Sequence, residues 1–354
     1  MRFCLLLIVS VLPLRAAVHE AKDPAGLREI LPRLAAGDTL KIAAGEYPGG
    51  YSVSGISDLK IEAQDPQDPP HFKGGKQAWH FSRCPGLTLR HLKCSGQSAN
   101  GINLDDGGKR GESVAGITLS HLVISDIGPR GNFDGIKASG LTELLIESCE
   151  ISGWGGQAID LVGCSDSRIT GCVIRGKEGY SQHTGPQFKG GSRNITIEKC
   201  TLIDAGERPI HAGGSTGADF FRPADANYEA RDIVIRDNRI EGGTCACAFT
   251  GARGVEFTGN KIVHPDKWIF RILQENTTPG FLACGEVKIH GNEITFRRSD
   301  VSVEINVGAD TQPETFVFAE NRWMADDRPA ASKPKLPVVE RDGVYGKVPA
   351  AADE

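Results

Sequence analysis

Several residue classes are scarce in this 354-residue chain, and their scarcity narrows the class of fold. It contains only 2 methionines, and aromatic residues make up 6% of it. Glycine is abundant instead, with 44 residues. This combination favours many short strands and tight turns over a helical bundle.

Strong net charge and long apolar runs are also missing. The net charge of −5 gives no nucleic-acid footprint, although a local basic patch for an acidic ligand is compatible with it. One apolar stretch follows Arg2 and ends before Ala16 and Ala17, which is typical of a secretory signal peptide and too short to span a membrane. We therefore expect a secreted or periplasmic monomer with no membrane partner and no nucleic-acid partner.

The 10 cysteines include no CxxC pair, which disfavours a zinc site. Cys4 belongs to the predicted signal peptide, so an odd number remains in the exported chain. Export favours disulfides. The candidates for pairing are Cys84 with Cys94, and Cys245 with Cys247 or Cys284.

From residue 59 onward, a short motif with alternating apolar residues recurs at intervals of 22 to 38 residues. The last residues of its copies are Leu92, Leu122, Cys149, Cys172, Cys200, Asn238, Asn260, Asn292 and Asn321. Such spacing is typical of a solenoid with three short strands per coil and loops of unequal length. Stacked asparagines can then hydrogen-bond to each other and to turn backbone. The pattern predicts an all-β, right-handed parallel β-helix; a β-propeller is the alternative, but its blades need about 40 residues each.

The pattern also predicts the organisation of the chain. We expect a signal peptide over 1–17, an N-terminal cap with one amphipathic helix over 18–58, the β-helix over 59–323 and a loosely attached tail over 324–354. Long loops on a rigid scaffold often carry binding groups. The longest insertions cover residues 96–114, 177–186 and 215–231.

Four short strand-like runs, each ended by glycine, lie between these insertions. If they stack, Lys137, Asp160, Lys189 and His211 form one outward column, with neighbours about 4.8 Å apart. A second cation and an imidazole beside Lys189 would lower its pKa, as a general base requires, whereas Asp160 would oppose that shift. The alternative is a solvated face with cross-strand ion pairs.

The β-helix and the run Gly37-Asp38-Thr39-Leu40-Lys41-Ile42 near its start resemble polysaccharide lyases of the chondroitinase B and alginate lyase type. The runs around Lys189 and Arg271 also resemble uncharacterised bacterial β-helix repeat proteins. In the lyases, a lysine is the base, an arginine one coil later is the acid, and calcium bound by acidic side chains neutralises a uronate carboxylate. The resemblance implies β-elimination of an acidic, uronate-containing polysaccharide.

Carried over to this chain, the resemblance makes Lys189 the base. One coil later the chain has His211, with Arg208 nearby, where the family has its arginine, so these two are the catalytic partners expected. The acidic residues placed to hold calcium are Asp160 and Asp134. The residues expected to bind substrate are Lys137, Gln187, His183, Arg222, Tyr228, Arg271 and Glu275.

Two other functions are compatible with the sequence. Phe133-Asp134-Gly135-Ile136 resembles part of a polygalacturonase motif, which suggests a glycoside hydrolase with two carboxylates. The next coil, however, reads Gln157-Ala-Ile-Asp160 and lacks the adjacent aspartates of that family. The third possibility is a glycan-binding β-helix without catalytic activity.

Overall fold

The chain winds through successive coils, and each coil adds one strand to each of three long parallel sheets. A computed structural model describes residues 16–109, 111–112 and 114–347, so most of the predicted signal peptide lies outside the described residues. The sheets contain 14, 12 and 10 strands, here called sheets I, II and III. This architecture confirms the predicted right-handed parallel β-helix.

The strands are numbered in chain order. Sheet I comprises β1 (Val18–Ala21), β2 (Thr39–Ile42), β5 (Lys60–Ala63), β8 (Thr88–Arg90), β11 (Val114–Ala115), β12 (Thr118–Ser120), β15 (Leu141–Thr142), β16 (Leu145–Glu147), β19 (Ser165–Thr170), β22 (Ser192–Glu198), β25 (Ala230–Arg236), β28 (Ala252–Thr258), β31 (Gly285–His290) and β34 (Val317–Ala319). Sheet II comprises β3 (Glu46–Pro48), β6 (His71–Lys73), β9 (Lys93–Ser95), β13 (Val123–Ile127), β17 (Glu150–Trp154), β20 (Val173–Arg175), β23 (Thr201–Ile203), β26 (Arg239–Glu241), β29 (Lys261–Val263), β32 (Glu293–Phe296), β35 (Arg322–Ala325) and β36 (Val344–Tyr345). Sheet III comprises β4 (Tyr51–Ser54), β7 (Trp79–Ser82), β10 (Ile102–Asp105), β14 (Ile136–Ser139), β18 (Gln157–Val162), β21 (Thr184–Lys189), β24 (Ile210–Gly213), β27 (Cys247–Thr250), β30 (Phe270–Leu273) and β33 (Ile305–Val307).

The recurring ladder position forms a continuous hydrogen-bonded column inside the stack. The side-chain amide of Asn238 donates to Oδ1 of Asn260 at 3.0 Å, Asn260 to Asn292 at 3.2 Å, and Asn292 to Asn321 at 2.8 Å. The side-chain oxygen Oδ1 of Asn238 also accepts from the backbone N–H of Cys200 at 2.9 Å. These bonds confirm the predicted ladder and satisfy amides that would be costly to bury unpaired.

A sharp turn precedes each ladder residue. The residue before it adopts a positive φ, for example 53° at His121, 54° at Lys199 and 64° at Gly259. Because this left-handed conformation suits glycine best, three copies of the motif carry glycine here, namely Gly171, Gly259 and Gly291. The turn redirects the chain from sheet I into sheet II.

All nine cysteines within the described residues are buried free thiols. The predicted pairs Cys84–Cys94 and those among Cys245, Cys247 and Cys284 are therefore not formed. Cys149 and its ladder neighbours pack as small apolar residues instead, and their thiols approach backbone carbonyls of the preceding coil.

The N-terminal end of the stack is closed by a short helix, as predicted. The α-helix α1 covers Pro24–Ile30, and the Asp23 side chain caps it by accepting from Gly26 N at 2.8 Å. A 3₁₀ turn, Leu31–Arg33, follows at Pro32, which cannot continue a regular helix. No helix within the described ranges is long and apolar enough to cross a membrane. Strands β1 to β4 already stack in this region, so the β-helix begins before residue 59.

The other end is covered by residues that follow the last coil. Strand β36 pairs in parallel with β35, and Glu340 accepts hydrogen bonds from the side chains of Asn321 and Trp323. Ser332 is buried and bonds to the backbone N–H of Ala325 at 2.9 Å. The expected loose tail is therefore packed against the stack as far as residue 347. Short 3₁₀ turns cover Ala218–Phe220, Pro313–Thr315 and Pro329–Ala331.

Candidate active site

The outward face of sheet III carries the polar column, but its register differs from the prediction. Lys137 pairs with Asp160, Asp160 with Gln187, and Gln187 with His211. Lys189 instead pairs with Val162, two residues further along the same face. The prediction that Lys189 lies between Asp160 and His211 is therefore wrong.

The turn that ends each strand explains the difference. Gly140, Gly163 and Gly190 end successive strands at equivalent positions, and each has a positive φ of 61° to 69°. Counting back three residues from each glycine gives Lys137, Asp160 and Gln187. Because Gln187 and Lys189 both alternate outward around the buried Phe188, the polar pattern alone fits either register.

Four charged side chains form a compact lysine–aspartate cluster at the centre of this face: Asp134, Lys137, Asp160 and Lys189. Lys137 Nζ lies 3.1 Å from Asp134 Oδ2 and 2.5 Å from Asp160 Oδ2. Lys189 Nζ lies 3.1 Å from Asp160 Oδ1. Both carboxylates are 0% exposed, whereas the Lys137 and Lys189 side chains are 26% and 15% exposed. The cluster therefore presents ammonium groups above buried acids.

The protonation of the cluster follows from its burial and its charges. Burial and the charge of Asp160 raise the pKa of Asp134 to about 6. Burial opposes ionisation of Asp160 as well, but Lys189 and Lys137 hold its pKa below the usual value. Burial likewise disfavours the Lys137 ammonium, but Asp160 and Asp134 raise its pKa above the usual value. Asp160 is therefore ionised, and Lys137 remains protonated across the physiological range.

His211 lies beneath the surface of the column, with only 3% of it exposed. Gln187 Nε2 donates to Gly213 O at 2.9 Å and to His211 Nδ1 at 3.0 Å. The hydrogen-bond network therefore assigns the ring proton to Nε2, which donates to Thr250 Oγ1 at 2.9 Å. Burial, and then the positive charges of Arg208, Lys189 and Arg271, hold the pKa of His211 well below its usual value. The neutral ring has no free nitrogen, which does not support the expected role as proton donor.

A cleft of about 270 Å³ opens above the lysine–aspartate cluster. Its walls include Asn132 and the inserted loop with Thr216 and Phe220, whose ring is 62% exposed. The loop is fixed by the buried Glu229, which accepts from Thr216 N at 2.8 Å and from Gly190 N at 2.9 Å. The sequence pointed to this insertion as a binding loop. Four residues were not among the predicted site residues: Asn132, Thr216, Phe220 and Glu229. An aromatic residue shortly after the glycines Gly213, Gly214 and Gly217 is the sequence signal that could have indicated Phe220.

The other predicted substrate-binding residues lie apart from this cleft. Arg222 donates from Nε to Asp106 Oδ2 at 2.5 Å, which fixes the inserted loop. Tyr228 is buried and contacts the Arg231 guanidinium. His183 is exposed, with Nδ1 4.0 Å from a Glu207 carboxylate oxygen. The remaining predicted residues are Arg208, Arg271 and the exposed Glu275, which lie toward the later coils of sheet III.

The two aspartates proposed as metal ligands do not fit a calcium site. Calcium takes six to eight oxygen ligands, whereas the oxygens of Asp134 and Asp160 are engaged by lysines and by the backbone N–H of Gln157. Within the described residues, no group of three or more His, Cys, Asp or Glu could hold a metal ion. A dependence on calcium remains a prediction.

Three parallel sheets, the interior ladder and the polar face of sheet III define a right-handed parallel β-helix. Residues 100–294 match the family model described as "Right handed beta helix region". The match covers more than half of the chain, so the protein belongs to this family. No curated protein sequence matches the chain.

Similar solved structures include enzymes that act on polysaccharides. An alginate lyase from Paenibacillus sp. str. FPU-7 is 18% identical, with a TM-score of 0.56 over 82% of this chain and 97% of that chain. An endo-xylogalacturonan hydrolase from Aspergillus tubingensis is 14% identical, with a TM-score of 0.56 over 93% and 100%. A GH136 lacto-N-biosidase from Eubacterium ramulus is 10% identical, with a TM-score of 0.58 over 86% and 67%. At these identities the likeness shows a shared fold.

Proposed function

We propose that this protein is an exported lyase that binds an acidic polysaccharide on sheet III and cleaves it by β-elimination. The observation that carries the proposal is the pair of ammonium groups, Lys137 and Lys189, above the buried Asp160 at the floor of the cleft. A uronate carboxylate is the natural counterion for this surface. The β-helix lyase among the similar structures supports the reaction type.

The two lysines differ in how tightly they are held, which suggests a division of roles. Lys137 makes ion pairs with two carboxylates, and its raised pKa keeps it cationic. Lys189 has one ion pair and a long hydrogen bond of 3.5 Å to Gln187 Oε1. Lys137 therefore suits the role of counterion for the uronate carboxylate, and Lys189, once it has lost its proton to solvent, suits the role of base.

The reaction then follows in balanced form. With its carboxylate neutralised by Lys137, the uronate becomes more acidic at the adjacent ring carbon. The nitrogen of Lys189 takes that proton, the C–H electrons form a carbon–carbon double bond, and the bond to the glycosidic oxygen breaks. The leaving oxygen takes a proton from water. Asp160 positions both lysines and does not itself contact the sugar.

The hydrolase alternative is less compatible with this geometry. A glycosidase needs two carboxyl groups that reach the scissile bond. Asp134 and Asp160 are both fully buried beneath lysines, and Asp160 is the single acidic residue among the described residues that line the cleft. The raised pKa of Asp134 is therefore better explained by burial than by a role as acid.

A panel of polyuronates tests the proposal. Purified protein is incubated with alginate, pectate and chondroitin, with and without a chelator, while ultraviolet absorbance and reducing ends are followed. We expect one of these polymers to give both signals in parallel, because each β-elimination creates one unsaturated end and one reducing end. Reducing ends without absorbance would indicate hydrolysis, and binding without either product would indicate a non-catalytic protein.

A further inference from the structure

Two arginines on either side of His211 in the chain, Arg208 and Arg271, lack a counterion among the described residues. The Arg208 Nε is buried without a hydrogen-bond partner, and its guanidinium makes no ion pair with a described carboxylate. Buried polar groups are normally paired, so an unpaired one calls for an explanation such as a ligand. Arg208 is half-buried at the start of β24, where its backbone bridges to Thr184.

Arg271 points to the same conclusion from a neighbouring coil. Its Nε donates to the neutral Asn306 at 3.1 Å, and its guanidinium lies 4.5 Å from the centre of the Trp268 ring. Burial, and then the positive charge of Arg208, lower the pKa of Arg271. The exposed Glu207 and Glu275 lie near enough to oppose this shift slightly, but neither forms an ion pair with Arg271.

The strand register leaves only a short side chain between His211 and Arg271. His211 pairs with Ala248, and Ala248 pairs with Arg271. Because Ala248 has only a methyl group, the column has no long side chain between β24 and β30. Arg208 and Arg271 are both half-buried and lie close enough for the charge of Arg208 to lower the pKa of Arg271. The Lys267 ammonium lies 4.4 Å from the centre of the Trp268 ring, so a third cation borders the same region.

We infer that Arg208 and Arg271 form a second anion subsite, which binds an oxyanion substituent, carboxylate or sulfate, on another sugar of the same polysaccharide chain. This inference rests on the proposed function. Lys189 lies in β21 and Arg271 in β30, three strand steps apart, which corresponds to roughly 14 Å. The subsite therefore selects glycans that carry several acidic sugars.

Binding measurements on oligosaccharides of increasing length test the subsite. Isothermal titration calorimetry uses the Lys189→Ala background to prevent turnover, with oligouronates from two to eight sugars and a sulfated, carboxylate-poor series as the second arm. Arg208→Gln and Arg271→Gln are compared with Arg239→Gln, an exposed arginine on sheet II paired with Glu241. The melting temperature of each free protein is measured in parallel.

We expect the background protein to gain affinity once the oligosaccharide reaches the subsite. Arg208→Gln and Arg271→Gln should each lose about 10- to 100-fold of the affinity for long oligosaccharides, the effect of one charged hydrogen bond, and none for short ones. The series that shows this loss identifies the anion as carboxylate or sulfate. Arg208→Gln should not lower the melting temperature, because it removes an unpaired buried cation.

The outcomes separate the two proposals. Long-chain binding that is unaffected by either arginine variant, with wild-type cleavage intact, overturns the subsite and leaves the lyase proposal standing. A marked fall in melting temperature of Arg208→Gln, with affinity unchanged, identifies a structural arginine and also overturns the subsite. If no acidic glycan binds and none is cleaved, both proposals fail.

Discussion

Lys189 Nζ lies 3.1 Å from one carboxylate oxygen of Asp160, and Lys137 Nζ lies 2.5 Å from the other. One fully buried acid thus orients two cations toward the same cleft. Because the two lysines share this counterion, a change in the position or charge of one lysine alters the ion pair of the other. The interactions of Asp160 therefore determine both the charge and the geometry of the floor of the cleft.

Replacing Asp160 with asparagine should destabilise the protein. The change leaves the ammonium groups of Lys137 and Lys189 close together without their shared counterion, and breaking a buried pair in this way costs about 3 kcal/mol. Denaturant unfolding measures the loss. In the double variant Asp160→Asn/Lys189→Met, which removes the lysine whose one ion pair is with Asp160, the loss should be smaller. A single variant within about 0.5 kcal/mol of wild type would contradict this account of the cluster.

Replacing Lys189 with arginine should separate the role of base from the role of cation. Arginine keeps the positive charge but does not lose its proton in proteins. Lys189→Arg and Lys189→Ala should therefore both reduce the formation of unsaturated ends by about 100-fold or more. The initial rate of absorbance increase measures this, with the exposed Lys261→Ala on sheet II as the control. An arginine variant with near wild-type rate would show that Lys189 acts only as a cation.

His211 should make the protein sensitive to acid. Burial, then Arg208, Lys189 and Arg271, hold its pKa well below the usual value in the folded state. Below pH about 6.5 the unfolded chain binds a proton at this position and the folded chain does not. The contribution of His211 to the free energy of unfolding is therefore fully present above about pH 6.5. It falls as pH decreases below that value, by up to about 1.4 kcal/mol per pH unit.

The substitution His211→Gln should remove the part of the acid-induced loss of stability that His211 causes. Urea unfolding at pH 7 and at pH 5 should show a smaller acid-induced loss for His211→Gln than for wild type. His183 provides the matched control because its side chain is exposed. The variant His183→Gln should follow the wild-type profile. Parallel profiles for wild type and His211→Gln would mean that His211 does not bind fewer protons when folded.

A break in the asparagine ladder should be costly. Asn260 donates to Ile235 O, Thr258 O and Asn292, and its carbonyl oxygen accepts from Asn238. Asn260→Ala leaves several of these buried groups unsatisfied, so we expect a loss of about 3 kcal/mol in the free energy of unfolding.

An asparagine outside the stack provides the comparison. Asn276 lies in the loop after β30, and its Oδ1 accepts one local hydrogen bond from Thr278 N at 3.1 Å. Asn276→Ala should cost less than about 1 kcal/mol. Equal losses for Asn260→Ala and Asn276→Ala would show that the ladder adds no stability beyond that of an ordinary local hydrogen bond.

The sequence predicts the stack well because the stack repeats. Each residue of the ladder follows the same local turn and meets the equivalent residue of the next coil, so nine copies support one interpretation. The helix Pro24–Ile30 is equally local, since its Asp23 cap and apolar face lie within one short segment. Features of this kind require no knowledge of distant contacts.

The site is harder to predict because its geometry depends on register and on long-range contacts. Outward alternation identifies Lys189 and His211 as facing away from the core, but it does not reveal that Gln187 occupies the position between Asp160 and His211. It also does not reveal that Gln187 and Thr250 enclose the imidazole. The pairing of Arg222 with Asp106 joins residues 116 positions apart, and no spacing in the sequence indicates it.

The carboxylate of Glu340 has a consequence for how the molecule behaves in concentrated solution. Every amide in the ladder donates toward the following coil, and the last donor, Asn321, reaches Glu340 Oε1 at 2.8 Å. A stack of parallel strands whose final rung remained open could accept a further coil from another molecule and grow into a fibre. Glu340 and β36 occupy that position at the end of the ladder and of sheet II, so neither can accept a coil from another molecule.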